Sequence, residues 1–224
     1  MIPWIKFTSY GDTMVMIPAA FIILVWLTVG RAWRMAIWWC LLLIAGLVLV
    51  AATKIAFVGW GVGIRSIDFT GISGHAMRAT AVLPVIFYLM LSRSPRSVQL
   101  CGIALGISVG VLLSISRVEV SAHSVSEAAA GCLLGLMISA GFIKKAFPSQ
   151  QLTPKTWLIV FSLIALFPTI YAKPAPTHRW INEVALFLSG RDKPYEREHW
   201  KNHPLESCIN RLSGPDLHRH SSVS

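Results

Sequence analysis

The sequence predicts an all-α fold, a polytopic membrane bundle of about six transmembrane helices. Hydrophobic residues make up 54% of the 224-residue chain, charged residues make up only 13%, and the mean hydropathy is +0.62. This composition is too apolar for an ordinary soluble domain. The apolar runs are continuous rather than alternating, and a backbone in lipid must satisfy its own hydrogen bonds, so helices are expected rather than barrel strands.

Six apolar segments are long enough, or nearly so, to cross a hydrocarbon core of about 30 Å. They cover about residues 14–30, 36–58, 76–91, 98–116, 126–143 and 156–172. Together they predict a transmembrane unit over residues 1–172. Residues 173–224 form a polar, proline-containing tail, in which the apolar patch 180–188 predicts a short interfacial helix.

The formal net charge of +10 does not indicate nucleic-acid binding, because the basic residues are spread among apolar spans instead of forming one stripe. They lie mainly in alternate loops, namely Arg31 and Arg34, Arg93 and Arg96, and Lys144, Lys145 and Lys155. The positive-inside rule makes these loops cytoplasmic. Loops 59–75 and 117–125 then face outward with both termini, and membrane lipids are the expected surroundings.

Ionisable residues occur where the fourth and fifth spans meet. His123 and Glu127 are four residues apart, so on one helix face Glu127 would accept a hydrogen bond from one imidazole nitrogen. The other nitrogen would remain available to attack or to accept a proton. Arg117, at the end of the fourth span, is a planar cation suited to a phosphate.

A second polar group precedes the third span. Ser73 stands just before Gly74, His75 and an apolar run, which is typical of a helix N-cap. The amides at such a helix start form an anion site, where His75 would be able to protonate a leaving oxygen. Two histidines and nearby cations at outward-facing span ends together favour a functional site over helix capping and headgroup contact alone.

These two stretches resemble motifs of the type 2 phosphatidic acid phosphatase family, in the lipid phosphatase and haloperoxidase superfamily. The series Ser116-Arg117, His123, Glu127 is similar to its third motif, SRxxxxxHxxxD, and Ser73-Gly74-His75 matches the end of its second, PSGH. The order and separation of the motifs also fit. The resemblance covers about residues 50–145.

The sequence departs from the family pattern at three positions. Glu127 replaces the aspartate of the third motif, and Ile72 replaces the proline of the second. In the first motif, KxxxxxxRP, Lys54 is in place but Gly61 stands where the arginine belongs. Arg65, four residues later, would substitute if the loop folds back, and Arg78 is a further phosphate partner to consider.

The resemblance implies phosphoryl transfer without a metal or other cofactor. By analogy, His123 attacks phosphorus, Glu127 orients it, and His75 protonates the leaving group and then activates water. The cations Arg117, Lys54 and Arg65, with Ser73 and the amides around Gly74, would bind the phosphate. The expected substrate is a lipid phosphate or polyprenyl pyrophosphate, met on the periplasmic face of a bacterial inner membrane.

Three alternatives stay open at this point. A phosphotransferase of the same family would use the same intermediate with another acceptor. The run Gly71-Ile72-Ser73-Gly74 followed by Ala122-His123 also resembles the serine and histidine of rhomboid intramembrane proteases. The incomplete first motif supports a third possibility, a non-catalytic membrane protein on the same scaffold.

Overall fold

The computed structural model describes residues 13–119, 123–146, 154–166, 168–169, 177–191 and 193–197. These residues form seven α-helices, with a short 3-10 helix at Arg65–Ile67 and an isolated bridge between Ile64 and Phe69. The helices are α1 (Thr13–Val29), α2 (Trp33–Trp60), α3 (Gly74–Met90), α4 (Arg96–Glu119), α5 (Val125–Ala146), α6 (Thr156–Leu166) and α7 (Thr177–Ser189). The prediction of an all-helical bundle is confirmed.

Six of these helices follow the six predicted apolar spans. Three of them, α2, α4 and α5, are long and apolar enough to cross a membrane. The helices α1, α3 and α6 are apolar but shorter, with 17, 17 and 11 residues. The last predicted span, 156–172, is described as a helix only to Leu166, and residues 167 and 170–172 lie outside the described residues.

The helix α3 lies at the centre of the bundle and packs along both α4 and α5. Close approach of the backbones makes this packing possible. A Cβ atom on Gly131 of α5 would lie 2.4 Å from the carbonyl oxygen of Ser73, and one on Gly106 of α4 would lie 2.7 Å from Cα of Pro84. Small residues therefore bring the start of α3 against the first turns of α5, as in other tightly packed membrane helices.

The C-terminal segment packs on the second helix. Ala185 of α7 is fully buried, and its carbonyl oxygen lies 3.3 Å from where a Cβ on Gly59 of α2 would be. A helix is thus present where the sequence predicts a short one over 180–188. Its interfacial location and the division into 1–172 and 173–224 stay predictions, and residues 173–176, 192 and 198–224 lie outside the described residues.

Candidate active site

Ser73 is the N-cap of α3, as predicted. Its backbone is extended, its hydroxyl accepts a hydrogen bond from the amide of Ala76 at 3.4 Å, and its side chain is fully buried. Its own amide donates to the carbonyl oxygen of Glu127 at 3.1 Å, which joins α3 to α5. His75 follows in the first turn, 5% exposed. These contacts make Ser73 a structural residue of the helix start.

His123 and Glu127 form a short contact, with Nδ1 of His123 and Oε2 of Glu127 2.8 Å apart. Because the helix begins only at Val125, His123 lies just before α5. The four-residue spacing had suggested that His123 and Glu127 share one helix face, but His123 lies outside the helix. A carboxylate only accepts hydrogen bonds, so Nδ1 carries the proton in this contact. The lone pair of His123 is therefore on Nε2.

The other oxygen of Glu127 is held by two further residues. Oε1 accepts hydrogen bonds from the amide of Thr70 at 2.9 Å, from the Thr70 hydroxyl, and from Nη2 of Arg197 at 2.7 Å. The carboxylate is 1% exposed. Both carboxylate oxygens thus accept hydrogen bonds, as a buried charged group requires.

Residues from both predicted motifs, together with Lys54, line one cavity of about 340 Å³ at the start of α3, whereas Ser73 and Glu127 are not among its lining residues. Its ionisable residues come from four different parts of the chain. They are Lys54 of α2, His75 and Arg78 of α3, Arg117 in the last turn of α4, and His123. Gly74 also lines this cavity. Three cations and two histidines around one space of this size suit a phosphate group.

A second cavity, of about 210 Å³, adjoins the first because Lys54 and His123 line both. Glu127 and Arg197 also line this second cavity. Arg65 lies elsewhere. It begins the 3-10 helix, is exposed, and lines neither of the two cavities.

The surroundings of His123 favour the neutral imidazole. Burial lowers the pKa of His123 below its ordinary value, and the cations Lys54 and Arg117 act in the same direction. The hydrogen bond to Glu127 opposes them without reversing the shift. The neutral form of His123, with a proton on Nδ1 and none on Nε2, is therefore favoured at neutral pH.

Comparisons with known proteins bear on the family to which the chain belongs. The profile described as PAP2 superfamily matches residues 63–151, which include both motifs. An uncharacterized 22.5 kDa protein in the cps region of Klebsiella pneumoniae is 32% identical over 202 residues, 87% of this chain and 95% of that protein. The chain belongs to the PAP2 superfamily. Phosphatidylglycerophosphatase B of Bacillus subtilis is a further relative, 33% identical over 90 residues, 39% of this chain and 43% of that protein.

Members of the PAP2 superfamily are phosphatases, so at family level the chain is a phosphoric ester hydrolase. Its long apolar helices indicate a membrane protein. No solved structure matches the chain significantly. The superfamily match begins at residue 63, after Lys54 and Gly61.

Two residues of the site, Arg78 and Arg197, do not belong to any of the family motifs. Arg78 lies one turn after Gly74 and reaches the cavity, and its Nη2 donates to the Thr13 hydroxyl at 2.8 Å. Arg197 lies 70 residues after Glu127 in a charged tail, and no spacing or periodicity connects it with the PAP2 motifs. For Arg78, the signal is its position on the same helix face as Gly74, four residues on.

Proposed function

We propose that this chain is an integral membrane lipid phosphatase that acts through a phosphohistidine on His123, without a metal. One observation supports this most strongly: His123, His75 and three cations line a single cavity, and His123 is hydrogen-bonded to Glu127. Family membership supports a phosphatase but does not identify the nucleophile or the substrate.

In the proposed reaction, Nε2 of His123 attacks phosphorus, so that a P–N bond forms and the P–O bond to the leaving group breaks. His75 gives its proton to the departing oxygen. In the second half, His75 accepts a proton from water, the hydroxide oxygen bonds to phosphorus, and the P–N bond breaks. Inorganic phosphate leaves, and both histidines return to their starting protonation states.

The cations stabilise the charge that the transition state spreads over the equatorial phosphate oxygens. Lys54 and Arg117 occupy the positions that the family motifs assign to them. Arg78 supplies the second guanidinium that Gly61 cannot provide, because it lines the same cavity whereas Arg65 is exposed outside it. Since cations rather than carboxylates surround the phosphate, we expect activity to persist in EDTA.

The residues that line the cavity favour an amphiphilic substrate. Besides the cations, its walls include Leu47, Val50 and Ala51 of α2. Leu47 precedes Lys54 by seven residues, or about 10 Å along a helix, in the direction of the membrane interior. A phosphate at the cations thus leaves its apolar part beside these side chains, as a lipid phosphate or polyprenyl pyrophosphate would.

The basic loops support a location in a bacterial inner membrane with the cavity on the periplasmic face. Arg31 and Arg34 follow α1, and Lys144 and Lys145 end α5, at the opposite end of the helices from the cavity. The positive-inside rule makes this opposite end cytoplasmic. Cysteines introduced near Asp68 should then react with an impermeant reagent in intact cells, and reaction only after lysis would reject this orientation.

The proposal is tested by phosphate release from a panel of lipid phosphates and polyprenyl pyrophosphates, using purified protein in detergent with and without EDTA. His123→Ala should abolish release, and Ser73→Ala should reduce it less. An inactive Ser73→Ala with an active His123→Ala would reject the scheme and favour a serine nucleophile. Transfer of labelled phosphate to an added alcohol faster than to water would identify a transferase, and no turnover of any substrate would favour a non-catalytic protein.

A further inference from the structure

The chain that follows α7 lies against the end of α2. We call its described residues, 190–191 and 193–197, the strap. The amide of Tyr195 donates to the carbonyl oxygen of Val58 at 2.8 Å, and its ring meets Phe57 edge-on at a centroid distance of 6.4 Å. The guanidinium of Arg191 lies 5.0 Å from the centre of the Tyr195 ring. The strap is therefore held to α2 by backbone and side-chain contacts.

Because Gly61 has no side chain, the ring of Tyr195 can lie against it. It ends α2 in the left-handed conformation, with φ of 71°, and a Cβ atom there would be 2.9 Å from Cζ of the Tyr195 ring. Any larger residue at position 61 would therefore be strained and would displace the ring. Position 61 is where the family motif has its arginine, so the loss of that arginine and the docked strap are sterically linked.

Arg197, at the end of the strap, contacts three acceptors at once. Its Nη2 donates to Oε1 of Glu127 at 2.7 Å and to the Thr70 hydroxyl at 3.2 Å, and its Nη1 donates to Oδ2 of Asp68 at 3.1 Å. The side chain of Arg197 is 33% exposed, whereas that of Glu127 is 1% exposed. A planar guanidinium in this arrangement fixes the carboxylate oxygen that His123 does not use.

We infer that Arg197 is a positioning residue of the active site, which acts by holding Oε1 of Glu127 so that Oε2 stays on Nδ1 of His123. This inference rests on the proposed function. Glutamate has one more rotatable bond than the aspartate of the family motif, so its carboxylate needs a second point of attachment to keep one orientation. Arg197 and Thr70 provide that attachment, and the site is complete only with the strap in place.

A positioning role predicts a change in the pKa of His123 opposite to the one that loss of a positive charge alone would produce. The charged and titratable groups that surround His123 are Glu127 of α5, Lys54 of α2, Arg117 of α4, and His75 and Arg78 of α3. Arg197 adds one positive charge on the far oxygen of Glu127. Without this attachment Oε2 no longer stays on Nδ1, and because that hydrogen bond raises the pKa of His123, its loss lowers the pKa. Loss of the positive charge alone, with the carboxylate still in place, would instead raise it.

The experiment compares Arg197→Gln and Arg197→Lys with Arg179→Gln, a matched control in the same segment. Arg179 is 80% exposed and pairs with Glu183 at 3.0 Å on the outer surface of α7. Arg197→Gln should lower kcat/KM about 10- to 100-fold, since small misplacements of reacting groups have effects of this size. Arg197→Lys, with a charge but no planar fork, should recover part of the activity, and Arg179→Gln should stay within about twofold of the unchanged protein.

Two further measurements separate positioning from folding. In a Glu127→Gln background, Arg197→Gln should change kcat/KM by less than about twofold, because the amide at position 127 then holds His123 in the wrong tautomer whether or not Arg197 contacts it. The ring of His123, followed by NMR in histidine-labelled protein and assigned with His123→Ala, should titrate at lower pH in Arg197→Gln. This titration needs no turnover, so it also judges the inference if the variant loses thermal stability.

Unchanged kcat/KM with an unchanged His123 titration in Arg197→Gln, or a shift of that titration to higher pH, would overturn the positioning role. If His123→Ala were inactive at the same time, the proposed phosphatase would stand without the strap. Equal losses from Arg197→Gln in the unchanged protein and in the Glu127→Gln background would also overturn it, because the effect would then not pass through the carboxylate. A protein without phosphatase activity whose His123 titration still shifts to lower pH in Arg197→Gln would refute the proposed function and keep Arg197 as the residue that positions the pair.

Discussion

Neutralising Glu127 tests whether its carboxylate sets the protonation state of His123. Oε1 faces three donors, from the Thr70 amide, the Thr70 hydroxyl and Arg197, whereas Oε2 faces Nδ1 of His123 and, at 3.4 Å, the amide of Ser124. In Glu127→Gln, the new amide nitrogen can only donate. It therefore occupies the position of Oε2, because that position faces two N–H donors whereas the position of Oε1 faces three donors.

In that place the amide donates to Nδ1 of His123, and the imidazole proton moves to Nε2. Nε2 is the atom that we propose attacks phosphorus, so the variant holds the wrong tautomer. In the serine-protease triad, neutralising the orienting carboxylate in this way lowers kcat by about 10⁴. We expect a fall of about 10³- to 10⁴-fold in kcat/KM here, equivalent to about 4 to 5.4 kcal/mol at about 1.36 kcal/mol per tenfold change.

The assay is phosphate release by purified protein, with the thermal unfolding midpoint measured in the same detergent. Glu127→Asp is the matched control, because it keeps the charge and shortens the side chain by one C–C bond of about 1.5 Å. Its loss should be smaller, about 10- to 100-fold. A Gln variant within tenfold of the unchanged protein, or one more active than the Asp variant, would refute the tautomer argument.

Three further predictions concern the histidine, the cations and the helix packing. Because burial and neighbouring cations lower the pKa of His123, kcat/KM should begin to fall only below the ordinary histidine range as pH is lowered; a midpoint above that range would contradict a neutral nucleophile. Arg78→Gln should lower kcat/KM about 10²-fold and Arg65→Gln less than about threefold, and the reverse order would restore Arg65 as the phosphate ligand. Gly131→Ala should lower the free energy of unfolding by about 1 to 3 kcal/mol, because its Cβ would lie 2.4 Å from a carbonyl oxygen at the start of α3. Gly141→Ala, whose Cβ would meet only Leu42 at 3.7 Å, should change the stability little, and equal effects in thermal unfolding would contradict this packing.

The sequence was sufficient to predict the helical bundle and most of the cavity. Continuous apolar runs determine helices in lipid whatever their neighbours are, and the motif around His123 identifies residues that meet in space. The N-cap at Ser73 was equally predictable, because capping depends on side chains within one turn. In each case the determining interaction is local, or is carried by a recognisable spacing.

Other features depend on contacts between distant segments, which no local pattern encodes. Arg197 reaches Glu127 from 70 residues away, and Tyr195 takes the space beside Gly61 only after the strap has docked. The choice between Arg65 and Arg78 depended on how loop 61–73 folds. The hydroxyl of Thr53 accepts a hydrogen bond from the amide of Ile72 at 3.2 Å, and this tertiary contact helps to set the path of that loop.

The junction between α3 and α5 divides the cavity into two mechanically different sides. The amide of Ser73 bonds to the carbonyl oxygen of Glu127, and its own carbonyl lies so close to Gly131 that no side chain fits between them. His75 and the Glu127 partner of His123 thus belong to one stiff unit, whereas α2 and α7 form the opposite wall. We expect α2 and α7 to move when the cavity accommodates lipid substrates whose apolar chains differ in thickness. The distance between the two histidines would then be the same for every substrate, so that selectivity among lipids changes binding while the chemical step keeps one geometry.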